Sequence, residues 1–340
     1  MNMTRVKNFL KKKNVEISFK RYGIDALGFM AQGLFASLII SLILKEFGTK
    51  LDIPILVDIS AYAAKATGAS IGVAIAYSLQ APPLVIFSNV AVGLAGNELG
   101  GPAGAYIACL IATEIGKLIS KETIIDIIIT PIVTTIIGVI IAIYIGTVIS
   151  SFTTYIGNLI MWATELMPFT MGIIVSVVMG IVLTLPISSA ALSIMLELGG
   201  LAGGAAVAGC CAQMVGFAVA SYRENKLNGL LSQGLGTSML QMPNIMKNPR
   251  IWIPPILASA ITGPLSTVVF KMENIPTGSG MGTSGLVGQF GALTAMGYNM
   301  HTYISIAIVH FIAPAILTLI FSELLRKKGY IKENDMKLNL

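Results

Sequence analysis

Apolar runs dominate the chain, and the polar positions fall between them rather than alternating within them. A membrane-spanning helix needs about 20 consecutive apolar residues. Residues 26–44 form the first such run, closed by Lys45, Glu46, Gly48 and Lys50. Residues 53–79 follow, interrupted by Asp58 and Lys65, which share one helix face and either pair or face a cavity. Pro82 and Pro83 open the run 84–96. The run 105–115 follows a Gly-rich break at 97–104 (NELGGPAG), and a charged turn spans 117–126. Residues 127–150 are the most hydrophobic span and include Pro131; 151–165 are more polar, with Trp162 suited to a membrane interface. Further spans lie at 171–185, 205–220, 251–270 and 303–325. Of these, 205–220 is built of Ala, Gly and Val, a close-packing composition. The pattern predicts an all-α polytopic membrane protein with about ten transmembrane helices.

The stretch 274–299, NIPTGSGMGTSGLVGQFGALTAMGYN, stands apart. It holds seven glycines and no charged side chain, and it lies between two apolar segments. Glycine permits close backbone approach and positive φ. Non-helical backbone survives at membrane depth only where protein buries it or where it lines a wet cavity. The stretch is therefore expected to be a re-entrant hairpin at a substrate site, the alternative being a tight helix crossing. With 97–104 and the weakly apolar 227–242, it allows one or two re-entrant Gly-rich hairpins. An internal repeat is a further expectation. Laying Thr113 on Thr237 sets Thr130, Pro131 and Ile132 on Pro254, Pro255 and Ile256, each behind a basic turn (Lys117 and Lys121; Lys247 and Arg250). Such half-on-half symmetry is common in transporters.

Composition agrees with the membrane reading. Charged residues make up 11% of the chain, against about 25% in a soluble domain. The net charge of +6 comes mostly from two terminal clusters. One holds Arg5, Lys7, Lys11, Lys12, Lys13, Lys20 and Arg21. The other holds Arg326, Lys327, Lys328, Lys332 and Lys337. They read as cytoplasmic anchors rather than a nucleic-acid footprint, so both termini are expected in the cytoplasm with an even number of crossings. The expected division is a basic interfacial segment at 1–22, a membrane transport domain at 23–326 and a cytoplasmic tail at 327–340. The first 22 residues lack the apolar core of a cleavable signal. Cys109, Cys210 and Cys211 lie in apolar segments without metal-ligand spacing and read as small buried hydrophobes.

Ionisable groups within apolar stretches are expensive and so come first as candidates for chemistry. Glu98, beside Asn97 in a Gly/Pro break, can accept sugar hydroxyls or carry a proton. Glu114 sits at helix-pair spacing from Lys117 and is expected to pair with it. Glu197 is either pore-lining or a loop residue. His310 reads as a core histidine; His301 adjoins the glycine stretch on the opposite helix face and is the better ligand neighbour. Asn274, Thr277, Ser279, Thr283, Ser284, Gln289 and Asn299 offer neutral hydrogen-bonding groups, a set suited to a polyhydroxylated neutral solute. Trp252 and Tyr298 could stack on a sugar ring or anchor at an interface. No nucleotide loop, hydrolytic triad or zinc motif is present, so no catalytic residue, metal or cofactor is expected.

The segment MENIPTGSGMGTSGLVGQFGALTAMG resembles the membrane-embedded IIC component of bacterial sugar phosphotransferase systems, in the branch with the perfringolysin O regulator-like membrane proteins. NELGGPAG and QMPNIMKNPRIWIPP are similar to the same branch, and the resemblance spans residues 23–326. It implies a homodimeric sugar permease in the bacterial inner membrane, surrounded by lipid, that binds and translocates sugar. A separate cytoplasmic IIB protein, charged through IIA, phosphorylates the sugar. The tails are expected to hold neither IIA nor IIB. The chain also lacks the Gly-Ile-Thr-Glu string of lactose- and glucose-type permeases, its nearest match being Ala112, Thr113 and Glu114. Two other functions stay open: a membrane regulator or sensor of the perfringolysin O regulator type, and an ion-coupled metabolite transporter using Glu98, Asp58 and Lys65.

Overall fold

The computed structural model describes residues 3–338; residues 1–2 and 339–340 of the predicted terminal segments lie outside it, as do the side chains of residues 3–6, Arg5 among them, and of Lys50. Among the described residues 82% are helical and none forms a strand. The single bridge between extended residues joins Gly200 to Asn274.

Among the described residues six helices are long and apolar enough to cross a membrane: Lys20–Thr49, Pro83–Ile119, Asp126–Thr164, Gly200–Ala220, Pro249–Val269 and Met300–Lys327. A seventh arises if Pro54–Lys65 and Thr67–Ser78, bent by 49° at their junction, are one span. Pro168–Thr184 is apolar but shorter. The number is below the expected ten partly because neighbouring predicted spans are continuous. Runs 127–150 and 151–165 share the helix Asp126–Thr164, and 84–96 and 105–115 follow one another within Pro83–Ile119 as two helical segments joined without a loop. At 1.5 Å per residue, a helix of 37 residues reaches roughly 55 Å, well beyond a hydrocarbon core of about 30 Å. The glycine break relieves this. Gly100 (φ −145°) and Gly101 (φ 61°) leave helical geometry immediately before Pro102 and kink the rod. Gly101 takes a left-handed conformation that costs glycine little.

The chain forms two compact units. One comprises Met1–Ser41 and Ala61–Phe152, the other Leu42–Ser60 and Thr153–Leu340. In the first, Thr67–Ser78 packs along Pro83–Ile119. The backbones approach so closely that a Cβ at Gly68 would overlap the Gly93 carbonyl. In the second, Gly200–Ala220 is the central element, buried along nearly its whole length. Pro168–Thr184, Ile253–Pro264 and Ala313–Lys327 surround it. Its small residues make this possible: a Cβ at Gly209 would strike the Ser176 carbonyl. A core of Ile156, Ile160, Met171, Val175, Met179, Leu192 and Met214 fills the space beside it.

Asp126–Thr164 presents the opposite extreme. Ile127, Ile128, Ile132, Ile136, Ile140, Ile143 and Tyr144 are all exposed along it. An apolar face of that length belongs against hydrocarbon or another protein surface. The three cysteines are free and buried, as expected.

Candidate functional site

The glycine stretch is folded into the second unit, its first half as short buried turns up to Leu286 and its second half as the helix Val287–Met296. Buried turns need partners for their backbone polar groups, and several predicted ligands are used for that purpose. The Asn274 amide N–H donates to the Gly200 carbonyl (3.1 Å), and Asn274 Nδ2 donates to the Gly288 carbonyl (2.8 Å). Its Oδ1 accepts from the Ile275 N–H at 2.8 Å. Ser279 Oγ donates to the Leu198 carbonyl (2.7 Å), and Thr283 Oγ1 donates to the Gly234 carbonyl. From outside the stretch, Ser189 Oγ donates to the Gly280 carbonyl (2.7 Å) and Ser193 Oγ to the Pro276 carbonyl (2.9 Å). Asn274, Ser279 and Thr283 thus build the loop, with their hydrogen-bonding capacity turned inward.

Past Thr283 the backbone turns left-handed at two successive residues, Gly285 (φ 53°) and Leu286 (φ 61°). A bulky residue at positive φ is an uncommon, strained conformation of the kind concentrated at ligand clamps. The turn opens the helix Val287–Met296, which carries Gln289. Gln289 is buried, and its Nε2 lies 3.0 Å from His310 Nδ1 and 3.5 Å from Cys211 Sγ. His310 is fully buried in the last long helix. Gln289 Oε1, His310 Nε2 and the hydroxyl of buried Ser284 make no hydrogen bond within the protein.

The chemistry of this pair does not depend on which way the amide is turned. If Gln289 donates to Nδ1, the neutral imidazole carries its proton on Nε2, leaving an N–H donor beside a carbonyl acceptor. If the amide is reversed, Nε2 becomes the acceptor and the amide N–H₂ the donor. Either arrangement leaves one donor and one acceptor without a protein partner, the two roles that a hydroxyl group can complement. Among the described residues no carboxylate pairs with His310.

The polar character continues along the last helix. His310, Thr318 and Ser322 are buried at multiples of four residues, so they share one face, and the hydroxyls of Thr318 and Ser322 also lack protein partners. Gly216 on the central helix leaves room for Thr318 Oγ1. The face ends at Arg326, which pairs with Glu224 at 2.7 Å. Polar groups inside a membrane bundle are costly and mark substrate or ion pathways by default.

The other predicted ligands are placed differently. Thr277, Tyr298, Asn299 and His301 are exposed. Asn299 caps the following helix, its Oδ1 accepting from the Thr302 N–H (2.9 Å), and His301 packs beside Phe270 with ring centroids 6.5 Å apart. Trp252 Nε1 donates to Gln213 Oε1 (2.9 Å), part of a buried network with Thr184, Ser238 and Ser259. Asn97 is half-buried and Glu98 exposed, just ahead of the Gly100–Gly101 kink in the first unit. Asp58 and Lys65 are exposed, and Glu197 is an exposed loop residue at φ 49°. Glu114 pairs with Lys117 as expected, at 3.0 Å.

Of the predicted set, Gln289 and Ser284 remain with open polar atoms in the buried part of the loop. His310 is the partner that its own position did not reveal. It is a core histidine, as read, yet only one of its nitrogens is engaged. The available signal was the spacing of His310, Thr318 and Ser322 within an otherwise apolar span.

A family model described as Phosphotransferase system, EIIC matches residues 24–338. No curated protein and no solved structure gives a significant match.

Proposed function

The chain belongs to the phosphotransferase system EIIC family, and on that premise we propose that it binds a neutral sugar at the Gln289–His310 pair and translocates it across the bacterial inner membrane. Membership makes it a multi-pass membrane component of a sugar transport system whose phosphorylation steps belong to partner proteins of the IIA and IIB type. The neutral sugar reading is supported by one observation: Gln289 Oε1 and His310 Nε2 are buried without hydrogen-bond partners in the protein, and among the described residues His310 makes no ion pair. Ser284, on the strained turn before Gln289, adds a third unpartnered polar group, a hydroxyl. Glu98 and Asn97, at the kink of the other unit, are proposed as a second place where solute hydroxyls are met.

The finer membrane arrangement follows the same reading. The glycine stretch is proposed to be re-entrant, because its first half is buried as short turns whose Pro276 and Gly280 carbonyls are satisfied by the Ser193 and Ser189 side chains, and its second half is a helix of only ten residues. Six spanning helices, with the bent pair Pro54–Lys65 and Thr67–Ser78 re-entrant, would return both basic termini to the cytoplasm. The exposed isoleucine face of Asp126–Thr164 is proposed to meet lipid and a second copy of the chain. Motion of one packed bundle against another would complete transport.

Sugar counterflow into proteoliposomes tests this reading. Purified protein should exchange a labelled neutral sugar, and His310→Leu should reduce the rate by at least about tenfold, since a buried site built to hydrogen-bond a hydroxyl loses on the order of 1–3 kcal/mol per missing partner. Glu98→Gln should reduce it less, by about threefold, as expected for a group at an exposed position. Exchange driven only by an imposed proton gradient, or confined to charged metabolites, would replace the neutral-sugar reading with an ion-coupled one.

A further inference from the structure

A second feature, confined to the first unit, carries its own chemistry. A cavity of about 400 Å³ is lined by Lys12, Lys13, Asn14, Gln80, Pro82, Lys117, Ser120, Lys121 and Glu122. That is within the size range of ligand sites. Its lining holds four lysines against one carboxylate.

The lysines differ in what they have left to offer. Lys117 is buried, and its three ammonium donors face the Asn14 carbonyl (2.5 Å), the Leu79 carbonyl (3.1 Å) and Glu114 Oε2 (3.0 Å). Lys13 donates to the Ser120 carbonyl (2.5 Å) and pairs with Glu122 (2.5 Å). Lys12 and Lys121 are exposed and make no ion pair among the described residues. Arg21 stands behind the wall, donating to the Leu79 carbonyl (2.7 Å) with Glu114 at 3.9 Å. Asp126 accepts from the Lys121 N–H (2.7 Å) and from Thr130 Oγ1 (2.6 Å). Two hydrogen-bonded ammonium groups therefore set the floor, and two exposed ones without an ion pair stand at the rim.

The surrounding backbone is held in shape. Asn14 (φ 53°), Gln80 (φ 53°) and Lys121 (φ 62°) are all left-handed, and Asn14 Nδ2 donates to Gln80 Oε1 (2.8 Å). Basic side chains near a membrane surface usually sit on open, convex surface, where they attract anionic headgroups without enclosing them. Here the chain builds a concave, side-chain-lined site instead.

We propose that this cavity binds a phosphate group, with Lys12 and Lys121, which have no ion-pair partner among the described residues, contacting it from the rim, and Lys13 and Lys117, each paired with a carboxylate, shaping the floor. A lysine ammonium is a compact cation and a recurrent phosphate ligand. Asn14, Gln80 and Ser120 add neutral hydrogen-bonding groups suited to the remainder of a headgroup or a sugar. Two sources carry that group: an anionic phospholipid headgroup and a soluble phosphate ester.

The test uses the full-length protein in phosphatidylcholine nanodiscs. In one arm, phosphatidylglycerol is doped in and its retention by the protein is measured by native mass spectrometry. In the other, inorganic phosphate and a hexose phosphate are titrated calorimetrically. The double variant K12Q/K121Q, at two exposed positions, should weaken binding about thirtyfold, at about tenfold for each 1.4 kcal/mol and about 1 kcal/mol per lysine. Glu122→Gln should strengthen it, because it removes the lining's one carboxylate and frees Lys13. Lys327→Gln/Lys328→Gln, at the other basic end of the chain, controls for general charge. Loss in the lipid arm alone assigns the site to a headgroup; loss in the soluble arm alone assigns it to a free phosphate ester. Binding absent in both arms, or equal in wild type and K12Q/K121Q, overturns the proposal.

Discussion

At the residue scale, the account turns on a side-chain amide and an imidazole that meet inside an apolar bundle. Gln289 and His310 lie on separate helices of one unit, and the hydrogen bond between them is 3.0 Å. Removing one partner of a buried pair strands the other, at about 1–3 kcal/mol, whereas replacing both with apolar groups is nearly neutral. Gln289→Leu should therefore destabilise the protein by about 2 kcal/mol, and Gln289→Leu/His310→Leu should recover most of that loss. Chemical denaturation in detergent, carried around the full cycle, measures it; additive losses would show that the two side chains do not act as a pair. The sequence disclosed the chemical types at this site but not their division of labour. Asn274, Ser279 and Thr283 are neutral hydrogen-bonding residues like Gln289, and only the fold shows that their side chains are taken up by backbone carbonyls of Gly288, Leu198 and Gly234. Glu98 stood out because it is charged in an apolar context, yet its helix presents it outward.

At the scale of elements, the run lengths were legible and the continuity between runs was not. A glycine pair ahead of a proline reads equally as a loop or as a kink, and at Gly100 and Gly101 it is a kink that joins two helical segments directly, without a loop. The polar end of the chain is a second case. By composition 327–340 is a tail, but Ile331 and Met336 are buried, and a ladder of amides holds the segment to the second unit. Gln241 Nε2 donates to the Met336 carbonyl (3.0 Å), Asn244 Nδ2 to the Lys337 carbonyl (2.9 Å) and Asn225 Nδ2 to the Met336 carbonyl (2.8 Å). Two isolated apolar residues among charges gave no periodic signal, which is why the docking was invisible beforehand. Ending the chain after Gly329 would expose their seats and unpair buried amides. The melting temperature should fall by several degrees, reflecting a loss of about 3 kcal/mol from burial of the two side chains. An unchanged melting temperature would mean that the segment only rests on the surface.

For the whole molecule, the membrane class followed from charge content and run length alone, because the cost of burying charge in hydrocarbon leaves few alternatives. Family membership then supplies the transport role, and the two-unit architecture shows where each predicted group resides. The identity of the solute depends on a few buried polar atoms, so the central claim is best tested by binding. The decisive measurement is ligand-dependent melting of the detergent-purified protein across neutral sugars, polyols, sugar phosphates and organic acids. A ligand at a hundredfold excess over its Kd stabilises the folded state by about 2.7 kcal/mol. The account predicts that a neutral sugar raises the melting temperature and that Gln289→Leu and His310→Leu each abolish the shift. A shift produced only by charged solutes, or a sugar-induced shift that survives both substitutions, would contradict it.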